Sequence, residues 1–178
     1  MQNSTTKVFT PPYPQAMMLH PQGLVATIYP KYFYNTFFGS LIDCFTFMRG
    51  FDDDTFMKFL DVKALRPEDL GWTKLETKEE WVSVVTDYFK PQLTPDLPYI
   101  PSSILLPSVT VLCFPMIQGA TDYHWAIYNG TYWLEQAGHG GAINVWVSLD
   151  GLIEAVYKRG EGKYYVEGSH FFFSKNIA

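Results

Sequence analysis

Apolar positions in the front half of this chain recur every three to four residues, as on helices, whereas those in the back half gather in short β-branched and aromatic runs, as on strands. The clearest helical stripe is Trp81, Val84, Val85 and Tyr88. It is entered through Thr77-Lys78-Glu79-Glu80, a capping box with Thr77 at N-cap and Glu80 at N3, and it must stop before Pro91. An earlier stripe holds Ile42, Phe45 and Met48, with Ser40 or Asp43 as the capping residue; either choice sets Cys44 in the first turn of a helix inside the fold. Asp52-Asp53-Asp54 is expected to cap a third helix whose inner side carries Phe56, Met57, Phe59 and Leu60, and it lacks the ligand spacing of a calcium loop. Pro11, Pro12, Pro14, Pro21 and Pro30 forbid a continuous helix over residues 1–30, which read as an extended arm ahead of a single domain at 31–178. Pro91, Pro95, Pro98, Pro101 and Pro107 make residues 91–108 an irregular connection between the two halves.

The back half opens with Val109-Thr110-Val111-Leu112-Cys113-Phe114, a buried strand in which Cys113 reads as an inert core thiol. Asp122–Tyr128 and Thr131–Gln136 flank Asn129-Gly130, which predicts a hairpin with a two-residue type I′ turn. That turn sets Tyr128 opposite Thr131, Ala126 opposite Trp133 and His124 opposite Glu135, on one face of the ribbon. A glycine-rich loop at 137–141, a short strand near 143–147, a Ser148-capped helix with Leu149, Leu152, Ile153 and Val156, and a closing strand over 163–174 complete the chain. The fold class is therefore α+β, with N-terminal helices packed on a C-terminal antiparallel sheet.

Composition narrows the function classes. With 47% hydrophobic and only 17% charged residues, the chain is expected to pack a core and not to be disordered. A formal charge of −5 supplies no basic stripe for nucleic-acid phosphates. No apolar run reaches the roughly 20 residues of a membrane span. The first residues lack the basic and apolar regions of a secretory signal, so synthesis in a cytoplasm is expected, with any delivery outside needing a route without a signal peptide. Two cysteines cannot build a disulfide framework, and reduced thiols are expected.

Within these bounds the candidate chemistry is that of a thiol. A helix N-terminus and a nearby imidazolium together lower a cysteine pKa to roughly 3.5–7.5, which creates the nucleophile. Cys44 at its helix start, His124 as base and Glu135 as the group orienting the imidazole form such a set, and Gln136 is the alternative third residue if a bulge turns it to the His124 face. The Cys44 backbone N–H, with Asn35 or Tyr34, would supply oxyanion donors. No cofactor is implied. A metal set of His124, Glu135 and His139 lacks any recognised ligand spacing. His20 reads as a loop residue and His170 as core.

A cysteine on a buried helix, then a histidine on a strand and a polar residue on the next, resembles the papain-like cysteine peptidase superfamily in its compact NlpC/P60 and CHAP forms. The wording is most similar to uncharacterised bacterial papain-like proteins, which it matches at Asp122, Tyr123, His124, Trp125, Gly130, Trp133 and Gly138. The likeness covers roughly residues 40–50 and 109–174. It departs at Asp43, where that group often has Asn, at Ile127 in place of an Arg, and at Glu135-Gln136 in place of His-Lys. The resemblance implies a thiol peptidase or amidase that cleaves an amide, peptide or isopeptide bond in a cell-wall peptide or a host protein, as a phage or secreted effector. A transferase or deamidase toxin with the same site, or a non-catalytic interaction module on that scaffold, is the alternative. The expected partner is a peptide or protein substrate.

Overall fold

The computed structural model describes residues 23–30, 33–49, 56–90, 92–94, 108–117, 121–136, 141–160 and 165–176. It is α+β, as expected. The elements run β1 (Leu24–Ile28), α1 (Gly39–Arg49), single 3-10 turns at Phe56–Phe59 and Pro67–Leu70, α2 (Lys78–Phe89) and β2 (Gln92–Thr94). They continue with β3 (Ser108–Met116), β4 (Asp122–Tyr128), β5 (Trp133–Gln136), β6 (Ile143–Trp146), α3 (Leu149–Gly160) and β7 (Phe171–Asn176). The strands form one seven-stranded sheet in the order β1-β6-β5-β4-β3-β7-β2. Every pairing in it is antiparallel.

Helix ends follow the capping chemistry. Thr77 accepts from the Glu80 N–H at 3.2 Å while the Glu80 carboxylate accepts from the Thr77 N–H at 3.0 Å, so the box at the start of α2 is complete. Ser148 accepts from the Gly151 N–H at 3.0 Å and starts α3. Three expectations need correction. Leu24–Ile28, inside the segment read as an arm, is an edge strand paired with β6. The stretch after the aspartates is one 3-10 turn and not an α-helix; Phe56 and Leu60 are buried while Phe59 is 40% exposed. Asp52, Asp53 and Asp54 themselves lie outside the described residues. The last strand begins at Phe171, and the expected front of it holds a bridge at Tyr165 and a turn closed by Ser169 N–H to Val166 O.

The hairpin is also shifted. Its pairs are Tyr128 with Trp133, Ile127 with Leu134 and Ala126 with Glu135. The turn therefore centres on Gly130-Thr131, one residue later than expected, and Asn129 N–H donates to Tyr132 O across it. Asn129 and Thr131 keep negative φ while Gly130 has φ +96°, as a turn with glycine in its first central position requires. Asn129 stays at the strand end because its side-chain oxygen accepts from the N–H groups of Thr131 and Tyr132. Moving a turn by one residue moves the pairing by two, so each side chain keeps its face.

Both faces of the sheet are covered. On one, Val111, Cys113, Trp125, Ile127, Leu134 and Phe173 join a core with α1 and α2. On the other, Leu112, Phe114, Ala126, Trp133, Trp146 and Phe172 pack under Leu152 and Val156 of α3. Strand residues alternate between the two cores, as the period of a pleated strand dictates.

Candidate functional site

His124 and Glu135 do meet. The shifted register puts Glu135 diagonal to His124 on the α3 side, and the carboxylate Oε2 lies 2.5 Å from His124 Nε2. Glu135 is fully buried, and its carboxylate is met by side chains from three elements, β4, α3 and β6. Arg159 of α3 donates through Nη1 to Oε1 at 2.9 Å and through Nη2 to Oε2 at 2.7 Å, a two-point clamp. Asn144 Nδ2 and Trp146 Nε1 of β6 donate to Oε1 at 3.1 and 3.3 Å. Asn144 in turn accepts from Thr27 of β1 at 3.0 Å. Burial alone would raise the Glu135 pKa, but the hydrogen bonds and charges of His124 and Arg159 outweigh it and hold the carboxyl well below the usual range.

Cys44 is elsewhere. It sits in the core between α1 and the opposite face of the sheet, 1% exposed. Tyr123 and Trp125, the neighbours of His124 along β4, face that core; His124 shares its side with Ala126 and α3. The sheet itself therefore stands between the thiol and the imidazole, and the nucleophile–base pair expected from sequence is not assembled. Nor is Cys44 in the first turn: α1 begins at Gly39, and even the Ile42 N–H already donates to Phe38 O, so the Cys44 N–H lies past the free amides of the helix start. Burial first, then the charges of Asp43 and Glu135, push the thiol pKa well above its ordinary value. Burial does the same to Cys113.

Gln136 points to the α1 side, without a bulge, and is fully buried. Its Nε2 donates to Gly141 O at 2.9 Å, and its side chain lies beside the Asp43 carboxyl. Asp43, 3% exposed, accepts from the Tyr34 N–H at 2.9 Å, and its other oxygen has no hydrogen-bond partner. Burial raises its pKa to about 6, against the lowering effect of Tyr34 and Gln136. The Tyr34 amide thus serves Asp43 and not an oxyanion, and Asn35 is exposed. His139 and His20 lie outside the described residues.

Arg159 is the member of the buried network that sequence reasoning missed, although a signal existed. Leu152, Val156 and Arg159 stand four and three residues apart, so the inner stripe of α3 ends in a guanidinium, which needs a carboxylate to meet it. Among the described residues, no group of three or more His, Cys, Asp or Glu side chains is placed to hold a metal ion, and no helix is long and apolar enough to cross a membrane. No family model, no curated protein and no solved structure matches the chain.

Proposed function

We propose that this chain is a non-catalytic protein-interaction module on a papain-like scaffold. The scaffold reading draws on the placement of the cysteine-bearing helix α1 across β4 and β5, the layout that the sequence resemblance implies. The observation that carries the loss of catalysis is the separation of Cys44 from His124 by the thickness of the sheet. A thiol held un-ionised in an apolar core, out of reach of its base, has no route to attack a carbonyl. The His124–Glu135 pair has a structural reason to exist, since the carboxylate is clamped by Arg159 and ties α3 to the sheet. Exposed apolar side chains gather along one short stretch, Phe59, Val62 and Leu65, which favours contact with another protein.

Thiol reactivity tests this reading. In the folded protein at mildly acidic pH, Cys44 is expected to react with iodoacetamide no faster than a free model thiol. A faster reaction at Cys44 means an activated nucleophile, and the hydrolase reading would then replace this one.

A further inference from the structure

A groove opens between α3 and the turn that leads into β7, apart from the buried network. Its volume is about 580 Å³, and Asp150, Ile153, Glu154 and Tyr157 line one wall, with Glu167 and His170 opposite. The polar floor has a defined arrangement. The His170 backbone N–H donates to the Tyr157 hydroxyl at 3.1 Å, and that hydroxyl lies 2.7 Å from His170 Nδ1. The pairing that uses every proton has the Tyr157 O–H donate to Nδ1, which leaves the ring proton on Nε2. Burial, then the charge of Lys78, lowers the His170 pKa, and burial raises that of Tyr157, so both groups are uncharged at neutral pH. The charged side chains of the lining are Asp150, Glu154 and Glu167 against Lys158, with Lys78 acting on His170 from outside the lining. The lining is thus negative in balance, with an apolar strip supplied by Ile153 and the Tyr157 ring.

We propose that this groove binds a lysine- or arginine-bearing peptide segment of a protein partner, an assignment that rests on the interaction-module reading and names where the partner docks. A long aliphatic stem lies along Ile153 and the Tyr157 ring while its cationic head sits between Glu154 and Glu167, which flank the groove from its two walls. Lys158, one helical turn beyond Glu154, competes for that carboxylate. Binding is therefore modest and salt-dependent.

The test uses the whole chain and a fluorescent peptide of alternating lysine and alanine, followed by anisotropy at low salt. The double variant Glu154→Gln/Glu167→Gln is compared with Glu68→Gln/Glu79→Gln, which removes the same charge from exposed positions outside the groove lining. The groove pair is expected to weaken binding about tenfold, equivalent to about 1.4 kcal/mol. The distal pair should weaken it less than about twofold, as screened surface charge does. The His170 ring resonance should shift as the peptide is added. Equal losses from the two pairs, an unmoved His170 resonance, or no binding by the unaltered chain overturns the assignment. If the peptide fails to bind while Cys44 stays unreactive, the groove assignment falls alone; if Cys44 proves activated, the module reading falls whatever the peptide does.

Discussion

A carboxyl at 3% exposure with a single backbone donor on one oxygen and none on the other is poorly placed to carry charge, which is why the Asp43 pKa rises to about 6. The sign of its effect on stability follows. The folded chain holds this proton more tightly than the unfolded chain, whose aspartate keeps its ordinary value of 3.8, so this group makes stability fall as pH rises between the two values. Asp43→Asn keeps an oxygen for the Tyr34 N–H and adds a donor on the unsatisfied side. Denaturant titrations should find the variant close to wild type at about pH 4 and more stable by up to about 3 kcal/mol at about pH 8. An unchanged difference across that range means that Asp43 is not held protonated. Glu135 works in the opposite sense: its lowered pKa gives stability that is present above the ordinary glutamate range and lost as pH falls below it. At this scale much was legible. A histidine beside a glutamate followed from the hairpin alone, and Cys113 as a core thiol followed from its apolar run. Asp43 as a buried acid was hidden, because its burial comes from β5, a strand far away in sequence.

Between elements, one polar ladder crosses the outer part of the sheet. Thr27 of β1, Asn144 of β6, Glu135 of β5 and His124 of β4 are joined in turn, and Arg159 of α3 closes over the middle. Removing the central carboxylate leaves the buried His124 imidazole and the partly exposed Arg159 guanidinium without their partner. Glu135→Ala should cost about 3–5 kcal/mol in urea denaturation, and a loss below about 1 kcal/mol would mean that hydrophobic packing, not the ladder, holds α3. A second joint lies at Gly23, whose φ is +84° and whose backbone approaches Ser148 so closely that an added Cβ would stand 2.3 Å from the Ser148 Cβ. Gly23 O also accepts from the Val147 N–H at 2.8 Å. Gly23→Ala should therefore destabilise by roughly 2 kcal/mol or more, and the loss should appear in hydrogen exchange first at β1, β6 and the start of α3. Caps and strands were readable here because capping and turn chemistry are local. The hairpin register was missed by two residues because Asn129 satisfied its neighbours' amides from the strand end instead of entering the turn. The edge strand β1 was missed because its pairing partner lies in the distant β6.

For the whole molecule, the sheet acts as a partition between two cores, and this decided the fate of the expected dyad. Every residue of β4 from Tyr123 to Ile127 is buried, since helices cover both sides. In a half-exposed strand, alternation of polar and apolar residues would tell which parity faces inward; in a doubly covered one, tyrosine, histidine, tryptophan and alanine carry no such mark. Both cysteines belong to the core on the α1 side, so their alkylation should require global opening. With increasing denaturant, the labelling rates of Cys44 and Cys113 should rise together and follow the unfolding transition. Labelling of Cys44 well before Cys113 would mean that α1 lifts from the sheet on its own.

The two rims of the sheet, β1 and β2, bond to β6 and β7, strands that lie far behind them in the chain. A nascent chain cannot seat β1 before β6 is made, nor β2 before β7, and loops this long close slowly. Until then the leading segments carry unclaimed amides and apolar faces. Synthesis of this fold should thus depend on chaperone shelter.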